Sequence, residues 1–132
     1  MSWRLKIDDV ACEIAASRTR ARVQLSKSGL AHIGLASGRT TDSSWHQVVA
    51  QATINAIRMF ATFVGANQKV ALDTVGVVTV GQHLMVLVSM TMGSESEGVF
   101  LFGSAPMRKD PYKAVAKAVL DGLNRQIERL PA

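Results

Sequence analysis

The chain reads as an α+β protein of two strand-strand-strand-helix units, βββα-βββα, within one domain over residues 1–132. Three observations predict this. Two stretches carry helical periodicity. Three stretches of strand character precede each of them. The second set repeats the first at a nearly constant offset. Composition permits the fold, because 132 residues with 48% hydrophobic and 19% charged can bury one sizeable core. The first unit is expected over about residues 1–66 and the second over about 67–132.

Leu5 to Ala15 is the first strand candidate. Arg18 to Ser26 alternates cleanly, with Thr19, Ala21, Val23 and Leu25 on one face and Arg18, Arg20, Arg22 and Gln24 on the other. Lys27-Ser28-Gly29 supplies a turn, and Ala31 to Ala36 a third strand. The first helix follows. Trp45, Val48, Val49, Ala52, Ala56, Met59, Phe60 and Phe63 recur at spacings of three and four. Asp42, Ser43 and Ser44 are candidate N-caps, and Gly65-Ala66-Asn67 ends the helix.

The second unit opens with strands at Val70 to Val80, His83 to Met92 and Gly98 to Ser104, turned at Gly81-Gln82 and Gly93-Ser94-Glu95. Asp110-Pro111 starts the second helix with a capping carboxylate and a proline at the first helical position. Tyr112, Val115, Val119, Leu123, Ile127 and Leu130 form its stripe.

The two halves match residue by residue. Ile7-Asp8-Asp9-Val10 lies over Leu72-Asp73-Thr74-Val75 at an offset of 65, and Val49 to Arg58 lies over Val115 to Asn124 at an offset of 66. One three-stranded sheet with one helix has too little core to stand alone. Two units related by a pseudo-twofold axis can bury both helices, and a leftover apolar face would favour a homodimer. Leu84 to Met92 is apolar on nearly both faces, so it is expected in buried sheet or an interface.

This repeat, together with Asp110-Pro111-Tyr112-Lys113-Ala114-Val115-Ala116-Lys117-Ala118-Val119-Leu120-Asp121-Gly122-Leu123-Asn124, resembles the C-terminal regulatory domain of alpha-isopropylmalate synthase and citramalate synthase. The small residues, Leu120, Leu123 and Asn124 fall in register with that family's second helix. Val70-Ala71-Leu72-Asp73-Thr74-Val75 followed by Val78-Thr79-Val80-Gly81 is similar to its entry into the second unit. The resemblance implies a dimeric, effector-binding regulatory domain. These residues contain no counterpart of the synthase's catalytic barrel, so it implies no synthase activity. Gly38-Arg39-Thr40-Thr41-Asp42-Ser43-Ser44-Trp45 replaces the family's Gly-x-Gly-Pro loop, so leucine specificity does not carry over.

Candidate chemistry is sparse. His32, His46 and His83 lack partners at metal-ligand spacing, so no metal is expected. Cys12 is a strand residue, and one cysteine excludes a disulfide framework. Gly34-Leu35-Ala36-Ser37-Gly38 places its serine one position late for a nucleophile elbow. No phosphate loop or dinucleotide fingerprint is present, and neither an enzyme nor a cofactor is expected.

The most promising loop is Arg39 to His46, with Thr41, Asp42, Ser43, Ser44 and Trp45 at a helix N-terminus that suits a carboxylate ligand. Its counterpart in the second unit holds Arg108, Asp110 and Tyr112. The plainer reading is an ordinary cap with Trp45 as the first core residue.

The basic face Arg18, Arg20 and Arg22 suits phosphate or an acidic partner, within a net charge of +5. No aromatic interleaves these arginines, so base stacking is unsupported. The plainer reading there is a solvated outer sheet face. Residues 45–130 alone follow the order of a double-stranded-RNA-binding domain, with Lys113 and Lys117 on the last helix.

A non-catalytic regulatory or assembly module is therefore expected, binding a small carboxylate effector or a protein partner. The alternatives are a nucleic-acid-binding module using Arg18, Arg20 and Arg22, or a pure dimeric scaffold. A cytoplasmic location is expected, from the early charges Arg4, Lys6 and Asp8 and from Gly76, Gly81, Gln82 and His83 interrupting the most apolar stretch.

Overall fold

The computed structural model describes residues 5–41, 44–64, 70–93 and 99–129. The elements run β1 (Lys6–Ile14), β2 (Arg18–Lys27), β3 (Leu30–Arg39), α1 (Trp45–Val64), β4 (Val70–Val80), β5 (His83–Met92), β6 (Val99–Pro106) and α2 (Pro111–Arg129). Two antiparallel sheets form, in the orders β1-β2-β3 and β4-β5-β6, each followed by its helix. The expected βββα-βββα order is therefore the observed fold. Asp42, Ser43, Gly65-Ala66-Asn67 and Ser94-Glu95 lie outside the described residues.

The alternation in β2 produces its two faces as expected. Thr19, Ala21, Val23 and Leu25 are buried, while Arg18, Arg20 and Arg22 are exposed. In β5 the buried set is Val86, Val88, Met90 and Met92. Ala21, Val23 and Leu25 thus correspond to Val86, Val88 and Met90 at the offset of 65.

The matched segments Ile7–Val10 and Leu72–Val75 each contain a register slip, between Ile7 and Asp9 and between Leu72 and Thr74. A bulge inserts one extra residue and flips the inward parity beyond it, so Ile7 and Val10 both reach the core, as do Leu72 and Val75. The extra residue is an aspartate in both units. Asp8 accepts hydrogen bonds from Ser26 Oγ at 2.9 Å and Gln24 Nε2 at 3.4 Å. Asp73 accepts from Ser89 Oγ at 3.0 Å. The sequence match therefore marks an irregularity that both units need.

Hairpin geometry follows local residue choice. Ser28 and Gly29 both have positive φ, of 51° and 83°, the pattern of a tight primed turn between β2 and β3. Beyond that turn β3 continues to Arg39, three residues past the expected end, because Gly38 and Arg39 still pair with Thr19 and Arg18. Similarly β6 extends to Pro106, which pairs with Met85.

The caps repeat at 66 residues. The Gln47 N–H donates to Ser44 Oγ at 3.3 Å, and the Lys113 N–H donates to Asp110 Oδ1 at 3.0 Å. Each cap contributes about 1 kcal/mol.

Helix α1 lies on β2 and β3 and also meets β4. Helix α2 lies on β5 and β6 and also meets β1, and the two helices touch. Each helix is thus held between its own sheet and the first strand of the other unit. One continuous core results, with Leu25, Val49 and Ile54 from one unit and Met90, Val115 and Leu123 from the other. Because α1 belongs to the first sheet, residues 45–130 do not form the helix-sheet-helix body of a double-stranded-RNA-binding domain.

Close backbone approach seats the helices. A Cβ on Gly34 would collide with Ala52 O and Ala56 N, and one on Gly103 would collide with Ala118 O. Next to each glycine the helix reaches the strand edge. Asn55 Nδ2 donates to Leu35 O at 2.8 Å, and Asp121 Oδ2 accepts from the Ser104 N–H at 3.0 Å. Asn55 and Asp121 are again 66 residues apart. They occupy edge-strand backbone groups that would otherwise be open to pairing with another chain. Among the described residues no helix is long and apolar enough to cross a membrane.

Candidate functional site

The pseudo-twofold arrangement brings the two helix N-termini together. Trp45, the first residue of α1, meets Tyr112, the second of α2, edge to face with ring centroids 5.0 Å apart. His46 stacks on Trp45 at 3.8 Å with an interplanar angle of 24°. His46 and Tyr112 are equivalent positions, 66 residues apart. The three rings therefore form a half-buried aromatic group beside two caps, Ser44 and Asp110. Each helix start presents backbone N–H groups without helical partners and the positive end of its dipole.

Burial pushes the pKa of His46 below its ordinary value of 6.5. The folded state thus binds this proton less readily than the unfolded state. The stabilisation it provides is present above about pH 6.5 and is lost as pH falls through the lower folded value. Wild-type stability, followed by urea unfolding, is expected to drop more steeply as pH falls below about 6.5 than that of His46→Gln. Parallel slopes for the two proteins would refute the assignment.

The remaining predicted residues divide. Thr40, a hydroxyl of the loop, is spent on structure: its Oγ1 donates to Ala15 O at 2.6 Å and lies 3.1 Å from Thr19 Oγ1, tying the loop to the β1–β2 turn. Thr41 is exposed, and Asp42 and Ser43 lie outside the described residues. Arg39 is a correction. It is not a loop cation but the last residue of β3, exposed on the outer face of the first sheet directly across from Arg18. Arg108 is exposed in the connection before α2.

The arginine face is formed as expected, with one change. Arg18, Arg20 and Arg22 point outward, and Arg18 Nη1 donates to Ser37 Oγ at 3.0 Å. Arg18, Arg20, Leu35 and Ser37 border a wide open groove. The absence of acidic residues between Ile14 and Thr41 suggests an uncompensated patch, but register places Glu13 of β1 beside Arg20. An adjacent strand therefore supplies the opposite charge.

Other candidates have structural roles. His32 packs edge-on against Phe60 with centroids 4.6 Å apart. Cys12 packs half-buried against the core, and burial raises its thiol pKa, the opposite of a reactive thiolate. Gly34, in the serine-containing stretch, is the seat for α1. Among the described residues no three His, Cys, Asp or Glu side chains gather as a metal site would need.

The fold and site define an internally duplicated α+β module whose two helix starts share one aromatic contact. Comparison with models of protein families and with curated proteins finds no match to the chain.

Proposed function

We propose that the chain is a non-catalytic regulatory or assembly module, similar in kind to the regulatory domain of alpha-isopropylmalate synthase, with a seat for a small carboxylate at the paired helix N-termini. The observation that carries this reading is the Trp45–Tyr112 contact, which joins the two units at their capped helix starts. A carboxylate there would meet the positive dipole end of α1, whose cap Ser44 is neutral, and its apolar part would meet aromatic walls, while at α2 the Asp110 carboxylate already takes the corresponding place. Because the contact spans both units, a ligand preferring one spacing of Trp45 and Tyr112 would shift the balance between arrangements of the halves.

The test is a thermal-shift screen of amino acids and small mono- and dicarboxylic acids at about 10 mM, with indole fluorescence as a second readout. At least one acid should raise the melting temperature and perturb Trp45, and Tyr112→Ala should weaken both effects. Failure of every acid in both readouts would overturn the carboxylate seat.

A nucleic-acid reading retains one supporting observation, the outward Arg18, Arg20 and Arg22. It requires polynucleotide retention that falls steeply with salt and disappears when the three arginines become alanine.

A further inference from the structure

The two sheets turn their outer faces away from the helices, and those faces differ in what can cover them. The outer face of β1-β2-β3 carries Arg18, Arg20, Arg22 and Arg39 together with Asp9, Glu13, Ile33 and Leu35. The outer face of β4-β5-β6 carries Val78, Met85, Leu87, Phe100 and Phe102. Phe100 is 64% exposed and Phe102 71% exposed. Its rows are set by register: Val78, Met85 and Pro106; Gly76, Leu87 and Ser104; Thr74, Ser89 and Phe102. The charged side chain described on this face is Asp73, at the bulge and bonded to Ser89.

We propose that the outer face of β4-β5-β6 is an isologous interface covered by the same face of a second copy of this chain. Charge selects the occupant. Four arginines against Asp9 and Glu13 leave the β1-β2-β3 face with an excess of positive charge, so two copies meeting through it would press like charges together. Meeting through β4-β5-β6 they bury a largely apolar surface whose described charge is Asp73 at its bulge, and an acidic partner would find its complement on the other sheet.

Size agrees. Three strands at about 4.8 Å spacing and about ten residues at about 3.3 Å each give about 470 Å² in projection per copy. Two copies thus cover about 900 Å² in projection, and side-chain relief raises the area lost toward the about 1,200 Å² at which specific interfaces begin. Geometry selects the mode. Asn55 and Asp121 each take one backbone group at the β3 and β6 edges, and the exposed apolar side chains lie on the sheet face, so the face is the mode proposed. The interface lies on the side of the sheet away from the helices, so it stands independently of the carboxylate seat.

Sedimentation velocity of the full chain between about 1 and 100 µM tests this. The mass should rise from 14.2 kDa toward twice that value, and the melting temperature should rise with concentration. Leu87→Asp with Phe102→Asp should remain at the monomer mass with unchanged far-UV circular dichroism, while Arg20→Glu with Arg22→Glu should still dimerise. Should the aspartate pair fail to fold, Leu87→Ser with Phe102→Ser should weaken dimerisation at least about tenfold. A wild-type chain that stays at 14.2 kDa at about 100 µM would overturn the proposal and leave the face to another partner. So would a dimer that survives the outward Leu87 and Phe102 substitutions, or one lost with Arg20 and Arg22.

Discussion

Gly103→Ala and Gly34→Ala are each expected to destabilise the protein by about 3 kcal/mol or more, and Gly103→Val to prevent folding. Neither position needs glycine for a turn. What forbids a side chain is the helix. At Gly103 the added methyl would overlap Ala118 O and lie 2.7 Å from Gly122 N. At Gly34 it would overlap Ala52 O and Ala56 N and lie 2.9 Å from Ala56 Cα. These are backbone atoms, so no rotamer change relieves the clash. The helix must lift off its sheet, loosening the packing of Ala52 and Ala56 or of Ala118 and Gly122.

Gly76→Ala is the control. A Cβ there meets nothing within 4 Å in the same chain, so at concentrations where the chain is monomeric the change should be neutral or stabilise slightly. Urea unfolding of the three alanine variants gives the comparison. Gly34→Ala or Gly103→Ala within about 0.5 kcal/mol of wild type would show that the helices are not seated on those strands.

The second large effect concerns the shared core. Leu25→Ala is expected to cost about 3 kcal/mol and to lower the stability of both units together. Leu25 is fully buried, in a core continuous with Met90 and Leu123 of the other half. A chain of this size has a net stability of about 5–15 kcal/mol, so the loss is a large fraction of the total. The units should share one transition, because α1 rests on β4 and α2 on β1. In a Trp3→Phe background, Trp45 fluorescence and far-UV circular dichroism should unfold at coincident urea concentrations in wild type and variant alike. Two separated transitions would mean that the halves are independently stable.

One difference between the repeats is explained by the same packing. Met90 stands where the first unit has Leu25, and Gly122 where it has Ala56. A Cβ on Gly122 would lie 2.7 Å from Met90 Cε. The longer side chain in the strand goes with the smaller residue on the helix, so the two changes conserve volume.

Much of this was legible because it is local. Alternation places Thr19 to Leu25 inward, since successive strand residues face opposite ways. Ser44 and Asp110 could be read as caps, because a cap acts within one helical turn. The 65-residue match between Ile7–Val10 and Leu72–Val75 flagged a shared feature, though not that it was a bulge. Glu13 beside Arg20 was not legible from the absence of acids between Ile14 and Thr41, because the neutralising residue comes from a neighbouring strand whose register is set by pairing. Arg39 was misplaced for the same reason. Its position depends on Thr19 and Arg18 continuing the ladder, a long-range condition that Gly38 conceals.

By itself, then, the sequence determined the order of elements, their inward faces, their caps and the duplication, all of which follow from spacings within a few residues or from comparing one half with the other. Tertiary structure alone decided that Trp45 meets Tyr112, that Gly34 and Gly103 are helix seats, and that Phe100 and Phe102 share an exposed outer face with Leu87. The physical reason is distance along the chain. Periodicity and capping are enforced by neighbours, whereas these contacts join residues that only strand register and the packing of two units around one core bring together.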